Sequence, residues 1–165
     1  MKIIVAGLGY VGITTAACLS SQGHQVVGID KNRDKVLSLQ SGFVPIVEPQ
    51  VANLLDKYPI RCMTNFDEVP FQPDVVIVCV GTPPTADGSP NMEFVESAVG
   101  EANDALIGMY KTPIILRSTV PIGTCERLMG AHPHLNIMFV PEFLREGTAV
   151  ADFFSPPKVV IGHLS

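Results

Sequence analysis

The chain reads as an α/β domain built on a doubly wound, mostly parallel sheet with helices on both faces. Three observations predict this. Short β-branched and aliphatic runs alternate with longer stretches of helical composition, the order that makes successive βαβ units. A glycine-rich segment, Gly7 to Gly12, joins the first aliphatic run to the first helical stretch. An acid, Asp30, closes the second aliphatic run.

The elements follow in order. Lys2–Ala6 (KIIVA) is aliphatic after its first residue, the pattern of a strand buried on both faces. Tyr10–Gln22 is a helix rich in small residues, stopped by Gly23. Gln25–Asp30 is the second strand, and Asn32–Gln40 a helix with Val36, Leu37 and Leu39 among polar residues. Gly42, Pro45 and Pro49 keep the segment 41–49 irregular, and Val51–Asp56 is a short helix. Ile60–Met63 is a third strand, while Asp74–Val80 (DVVIVCV) carries the strongest strand signal in the chain. Gly81–Pro90 is a loop, and Asn91 stands where it can cap a helix from Met92 to about Gly108. Ile114–Arg117 is a strand leading into a Ser-Thr-Val-Pro turn. Cys125–Met129 is helical, Asn136–Val140 is a strand, and Lys158–Ile161 is read as one more.

Composition bounds what such a fold does. The 165 residues make one domain, and the 47% hydrophobic content supplies its core. Mean hydropathy is +0.32, yet no apolar run reaches the ~18 residues of a membrane span. The apolar stretch after Lys2 ends in glycines too early for a secretory signal, and a buried first strand accounts for it. Net charge is −5 with no cluster of Lys and Arg, which argues against nucleic acid as a partner. Cys18, Cys62, Cys79 and Cys125 form no C-x-x-C pair, and none has a His at ligand spacing. They read as buried or half-buried thiols in a reducing cytoplasm, and no metal is expected.

Gly7-Leu8-Gly9-Tyr10-Val11-Gly12 fits G-x-G-x-x-G. The pattern alone is weak, but its surroundings make it specific: a buried strand before it, a helix opening from it, and an acid about 20 residues further on. Gly7 permits the tight turn, Gly9 lets backbone approach a pyrophosphate, and Gly12 lets the helix pack against the sheet. The pyrophosphate then meets the unpaired N–H groups and positive end of the helix dipole. Asp30 can accept hydrogen bonds from adenosine ribose hydroxyls and would repel a 2′-phosphate, which favours NAD over NADP. Lys31, Arg33 and Lys35 follow closely and are the residues that would accommodate that phosphate. This is the Rossmann-type arrangement.

Further motifs occur in a fixed order. They are Pro45-Ile46-Val47-Glu48-Pro49, Cys79-Val80-Gly81-Thr82-Pro83, Arg117-Ser118-Thr119-Val120-Pro121 with Gly123-Thr124, and Pro141-Glu142-Phe143-Leu144-Arg145-Glu146-Gly147. With Gly9-Tyr10-Val11-Gly12 they resemble the N-terminal domain of the UDP-glucose/GDP-mannose dehydrogenase family over essentially the whole chain. The RSTVP and PEFLREG stretches are far more specific than the glycine-rich loop, and 3-hydroxyacyl-CoA and 6-phosphogluconate dehydrogenases lack the CVGTP and PEFLREG pair. UDP-N-acetyl-sugar dehydrogenases differ around the Pro-Glu segment.

The resemblance implies oxidation of a sugar-nucleotide C6 alcohol to a carboxylate in two hydride transfers to NAD. It places Gly7 to Gly12 on the cofactor phosphates, Asp30 and Lys35 on the adenosine ribose, and Val80, Gly81, Thr82, Pro83 and Pro84 along the cofactor site. Thr119 and Glu142 become the catalytic candidates: a hydroxyl near the reacting centre, also in reach of cofactor, and an acid that activates water or moves a proton. Phe143, Leu144, Arg145 and Glu146, with Glu142, are implied to meet the sugar nucleotide, and Glu146 the nicotinamide as well. Read without the family, Thr119 is a helix N-cap, and Glu142 and Glu146 are first-turn helix acids. Complete members add a connecting helix and a sugar-binding domain with a catalytic Cys in a Gly-Gly-x-Cys setting, matched by no cysteine here. The full-length form is implied to be a homodimer acting on UDP-glucose or GDP-mannose, and this chain alone is expected to bind NAD without turnover.

Overall fold

In the computed structural model, which describes residues 1–106 and 112–162, the centre of the sheet goes to the residues most shielded on both sides. Strands β1 (Lys2–Ala6) and β4 (Val75–Val78) pair in parallel at that centre. From β1 the chain runs outward through α1 (Tyr10–Ser21), β2 (Gln25–Ile29), α2 (Arg33–Gln40) and α3 (Val51–Lys57) to β3 (Arg61–Met63). A 3-10 turn at Phe66–Glu68 leads back to β4. The chain then moves outward the other way through α4 (Glu93–Ala105), β5 (Pro113–Leu116), α5 (Thr124–Ala131) and β6 (Asn136–Phe139), and α6 (Ala149–Phe154) follows. The six strands lie in the order β3-β2-β1-β4-β5-β6, and every paired neighbour is parallel.

Side-chain alternation in each strand feeds two cores. Ile4, Ala6, Val76 and Val78 meet α4 and α5 residues such as Val95, Val99 and Leu128. Ile3, Val5, Val75 and Ile77 meet Ile13, Ala16 and Ala17 of α1, with Val36, Val51 and Val150 from α2, α3 and α6. Its small residues let α1 be buried on several faces, between the sheet, α3 and α6.

Most expected elements are present. The N-cap of α4 is Met92, one residue later than expected, and Asn91 stands just before it with its Oδ1 accepting the Glu93 N–H at 2.8 Å. The expected end of that helix near Gly108 lies outside the described residues. One strand is corrected: Lys158–Ile161 is irregular, and Val159, Val160 and Ile161 are exposed. Lys158 Nζ lies 4.4 Å over the Phe143 ring, which carries the segment across the loop after β6 instead of along that strand. Among the described residues this segment bridges β6 at Gly162, antiparallel to Phe139. The 3-10 turn has no counterpart in the sequence reading, and α6 begins later than the helix start that Glu142 and Glu146 suggest.

Candidate functional site

The outward winding reverses between β1 and β4, so their carboxyl ends open a crevice where α/β sheets of this order bind ligands. Gly7 forms its floor. It has φ +91°, and a Cβ on it would lie 2.7 Å from Val80 N and 2.8 Å from the Cys79 carbonyl. The Gly7 N–H donates to Ile29 O at 2.7 Å and ties the turn to β2. A Cβ on Gly12 would overlap the Gly7 carbonyl oxygen and press on Cys79 Cβ at 3.3 Å, so close packing of α1 on the sheet excludes one. Gly9 faces open space, with nothing within 4 Å of a would-be Cβ. No side chain caps the start of α1 there. Leu8 turns its side chain into the core over Gly28, leaving main chain as what it offers a ligand.

Asp30 sits beside this turn at the end of β2. Its Oδ2 accepts the Leu8 N–H at 2.8 Å and Lys35 Nζ at 2.7 Å, and its Oδ1 accepts the Asn32 N–H at 2.9 Å. Carboxylate oxygens have lone pairs to spare, so ribose hydroxyls can join these donors. Of the neighbouring basic residues, Lys35 is held by Asp30, and Lys31 is drawn to α4 by Glu101 at 2.5 Å and Ser97 at 2.7 Å. An uncapped helix start, an open position at Gly9 and an acid at the ribose position fit an NAD.

The other candidates line the same sheet edge further along. Val80 accepts Ser118 Oγ at 2.7 Å through its carbonyl, and Thr82 Oγ1 donates to Thr119 O at 3.1 Å, joining the loops after β4 and β5. Gly81 and Pro83 are exposed beside them, and the Pro83 carbonyl accepts the Asn91 N–H at 2.8 Å. Thr119 is exposed and caps no helix, since Gly123 occupies the N-cap of α5. Glu142 and Glu146 precede α6 and are not in its first turn. Glu142 is half-buried, forms an ion pair with Arg117, and accepts the Phe143 N–H at 2.8 Å. A cavity of about 160 Å³ lies beside this pair, walled by Phe143, Asp152 and Lys158.

The loop from Glu142 folds back to the phosphate turn. Arg145 O lies 3.4 Å from the Tyr10 hydroxyl, while its guanidinium binds Asp152 at 2.7 and 3.1 Å. Leu144 is half-buried in the same loop, Val11 is half-buried in the first turn of α1, and Glu146 is exposed near Tyr10. Burial and a hydrogen bond to Glu48 push the Tyr10 phenol up to about 12. Three residues of this edge escaped the sequence reading as site residues: Glu48, Arg117 and Asp152. The first two lie inside motifs that were recognised, and an acid flanked by prolines in an apolar run was the available signal for Glu48. Nothing in the sequence marks Asp152.

All four thiols are shielded. Burial pushes Cys18 and Cys79 up to about 12 and Cys62 up to about 11, and raises the half-buried Cys125. Among the described residues no helix is long and apolar enough to cross a membrane.

Fold and site together define a dinucleotide-binding domain of a dehydrogenase. A family model for the NAD-binding domain of the UDP-glucose/GDP-mannose dehydrogenase family matches residues 1–165. The chain belongs to that family, and NAD is its cofactor. It is 39% identical to a putative UDP-glucose 6-dehydrogenase, YtcA, of Bacillus subtilis, an alignment covering 98% of this chain and 39% of that protein. It is 36% identical to a GDP-mannose 6-dehydrogenase of Pseudomonas putida, covering 99% and 41%. The solved ternary complex of GDP-mannose dehydrogenase from Pseudomonas aeruginosa superposes with TM-score 0.91 at 33% identity, covering all of this chain and 41% of that one. The chain therefore spans about 40% of the length of these relatives.

Proposed function

We propose that the chain is the cofactor-binding part of a UDP-glucose 6-dehydrogenase, which oxidises the sugar C6 alcohol to a carboxylate in two NAD-dependent steps. The observation that carries this is the convergence of Thr119, Glu142 and the loop 143–147 on the edge that holds the phosphate turn and Asp30. Bound NAD supplies the hydride acceptor. On this reading Gly7 to Gly12 hold the pyrophosphate, and Asp30 with Lys35 holds the ribose. Val80, Gly81, Thr82 and Pro83 wall the cofactor. Thr119 steadies the reacting oxygen or a water, Glu142 moves a proton, and Phe143 to Glu146 contact the sugar nucleotide.

Covalent capture of C6 needs an exposed, ionisable thiol, and burial raises the pKa of all four cysteines here. On this reading the thiol and the sugar-binding domain are supplied by other sequence, and the whole enzyme works as a cytoplasmic homodimer. GDP-mannose is the second reading for the substrate, favoured by the close superposition on that dehydrogenase. A stand-alone NAD-binding module is the third, favoured by the shielded thiols.

Calorimetry with NADH and NADPH, followed by an absorbance assay with NAD and each sugar nucleotide, tests the proposal. Saturable NADH binding, weaker NADPH binding and no turnover by this chain alone are expected. Robust NADH production from UDP-glucose or GDP-mannose would overturn the division of labour. Turnover of one sugar nucleotide by the full-length protein identifies the substrate, and turnover of neither leaves the stand-alone module.

A further inference from the structure

Glu48 is a buried carboxylate at 7% exposure, assigned no part in cofactor or substrate chemistry above. Its Oε2 accepts the Tyr10 hydroxyl and the Gly147 N–H, the latter at 2.7 Å, and its Oε1 accepts the Ala149 N–H at 3.1 Å. Three donors therefore compensate the desolvated charge. They come from two places far apart in the chain: the first residue of the phosphate-turn helix, and the stretch from Gly147 to the first residue of α6. The backbone two residues on is also committed to this placement. Gln50 has φ 76°, a left-handed conformation that residues other than glycine rarely adopt, at the N-cap of α3.

We propose that Glu48 is a positioning residue that couples the two halves of the cofactor site. Its carboxylate holds the loop 145–149 against Tyr10, so pyrophosphate seated on α1 and the residues facing the nicotinamide share one fixed geometry. Arg145 O, 3.4 Å from the same phenol, closes the contact from the loop side. This rests on the reading of Gly7 to Gly12 as the pyrophosphate turn and of Glu146, in the loop 143–147, as a residue that meets the nicotinamide. It adds that neither is set independently of the other. A residue that only packed the loop would stabilise it equally with and without cofactor. Coupling requires that filling one half tighten the other.

The test follows backbone amide exchange and NADH binding together. NADH should slow exchange at Gly147 and Ala149 in the wild-type chain, and Tyr10→Phe should abolish that slowing while leaving the fold intact by thermal melting. Glu48→Gln keeps the side-chain volume but turns an NH2 group towards one of its two amide donors. It should speed exchange at that amide and weaken NADH binding, each by about tenfold, as expected for one hydrogen bond to a charged group. If Glu48→Gln fails to fold, the Tyr10→Phe arm still decides. Slowing that persists in Tyr10→Phe, or NADH affinity unchanged in a folded Glu48→Gln, overturns the coupling. Wild-type binding without any slowing at Gly147 and Ala149 also overturns it and leaves the phosphate-turn reading standing. No NADH binding by the wild type overturns both.

Discussion

Along β1 and α1 the ligand-binding edge is set by backbone: two glycines that admit no Cβ, an uncapped helix start and an acid delivered by strand register. Across β5, β6 and the loop to α6, charged side chains set it: Arg117 on Glu142, Arg145 on Asp152, and Glu48 across to Tyr10. In the first region the constraints at Gly7 and Gly12 are steric and hold whatever the charge state. The second depends on groups that must stay ionised and paired. Substitutions in the first region should therefore act on cofactor binding, and substitutions that unpair Arg117 or Asp152 in the second mainly on stability, with Glu48 alone reaching across to binding.

The largest effect expected is at Arg117. Its guanidinium and the Glu142 carboxylate are 16% and 12% exposed, and removing one partner leaves the other charge largely shielded from water without its ion pair. Arg117→Gln should cost ~3–5 kcal/mol of unfolding free energy in urea, and the double variant with Glu142→Gln should recover most of it. A loss no larger than that of an exposed pair would erase the contrast between the regions. Next comes Gly12→Ala. Its Cβ meets the Gly7 carbonyl and cannot be accommodated by a side-chain rotation, so stability should fall by ~1–3 kcal/mol. NADH binding should fall more than tenfold by calorimetry, since the turn must shift. Binding retained in a folded Gly12→Ala would show that this turn tolerates movement.

Asp30→Ala sharpens the comparison on the binding side. The carboxylate should repel a 2′-phosphate, and its loss frees Lys35 from its 2.7 Å pair. The preference for NADH over NADPH should narrow by about tenfold, the scale of one charged hydrogen bond. An unchanged ratio would move selection to another residue.

The same contrast explains what the sequence made legible. The phosphate turn was readable because each of its determinants is local: a strand, three spaced glycines, a helix, and an acid at the next strand end. The strands from β1 to β6 were readable from aliphatic runs, since parallel strands are buried on both faces. The charged region was not. Glu48 finds two of its three donors about a hundred positions away and the third 38 away, so its one local signal, an acid in a proline-flanked apolar run, says nothing of what it binds. Thr119 and Glu142 were identified through family motifs, and on residue pattern alone they would have been assigned to helix starts that the structure places at Gly123 and Thr148. Lys158–Ile161 failed because apolar composition there reflects an exposed segment running over Phe143, not a strand.

The smallest effect should come from Arg145 and Asp152. The hydrogen bond from the Arg145 side chain, then that from its backbone N–H, holds the Asp152 carboxyl well below the usual carboxylate range. A depressed folded-state pKa stabilises the fold above the unfolded value, about 3.9 for Asp, and that contribution disappears as pH falls towards the folded value. Asp152→Asn should therefore melt below the wild type at neutral pH, with the gap constant down to about pH 5 and closing below about pH 4. The Arg145 side chain is 74% exposed, so water and salt screen the pair and the gap should be small and shrink further in high salt. A gap that persists unchanged through acid and salt would mean that the Asp152 contacts act by shape and hydrogen bonding alone. The stretch before α6 would then belong with the backbone-set region, leaving Arg117 and Glu48 as the groups whose charge holds the far side of the site.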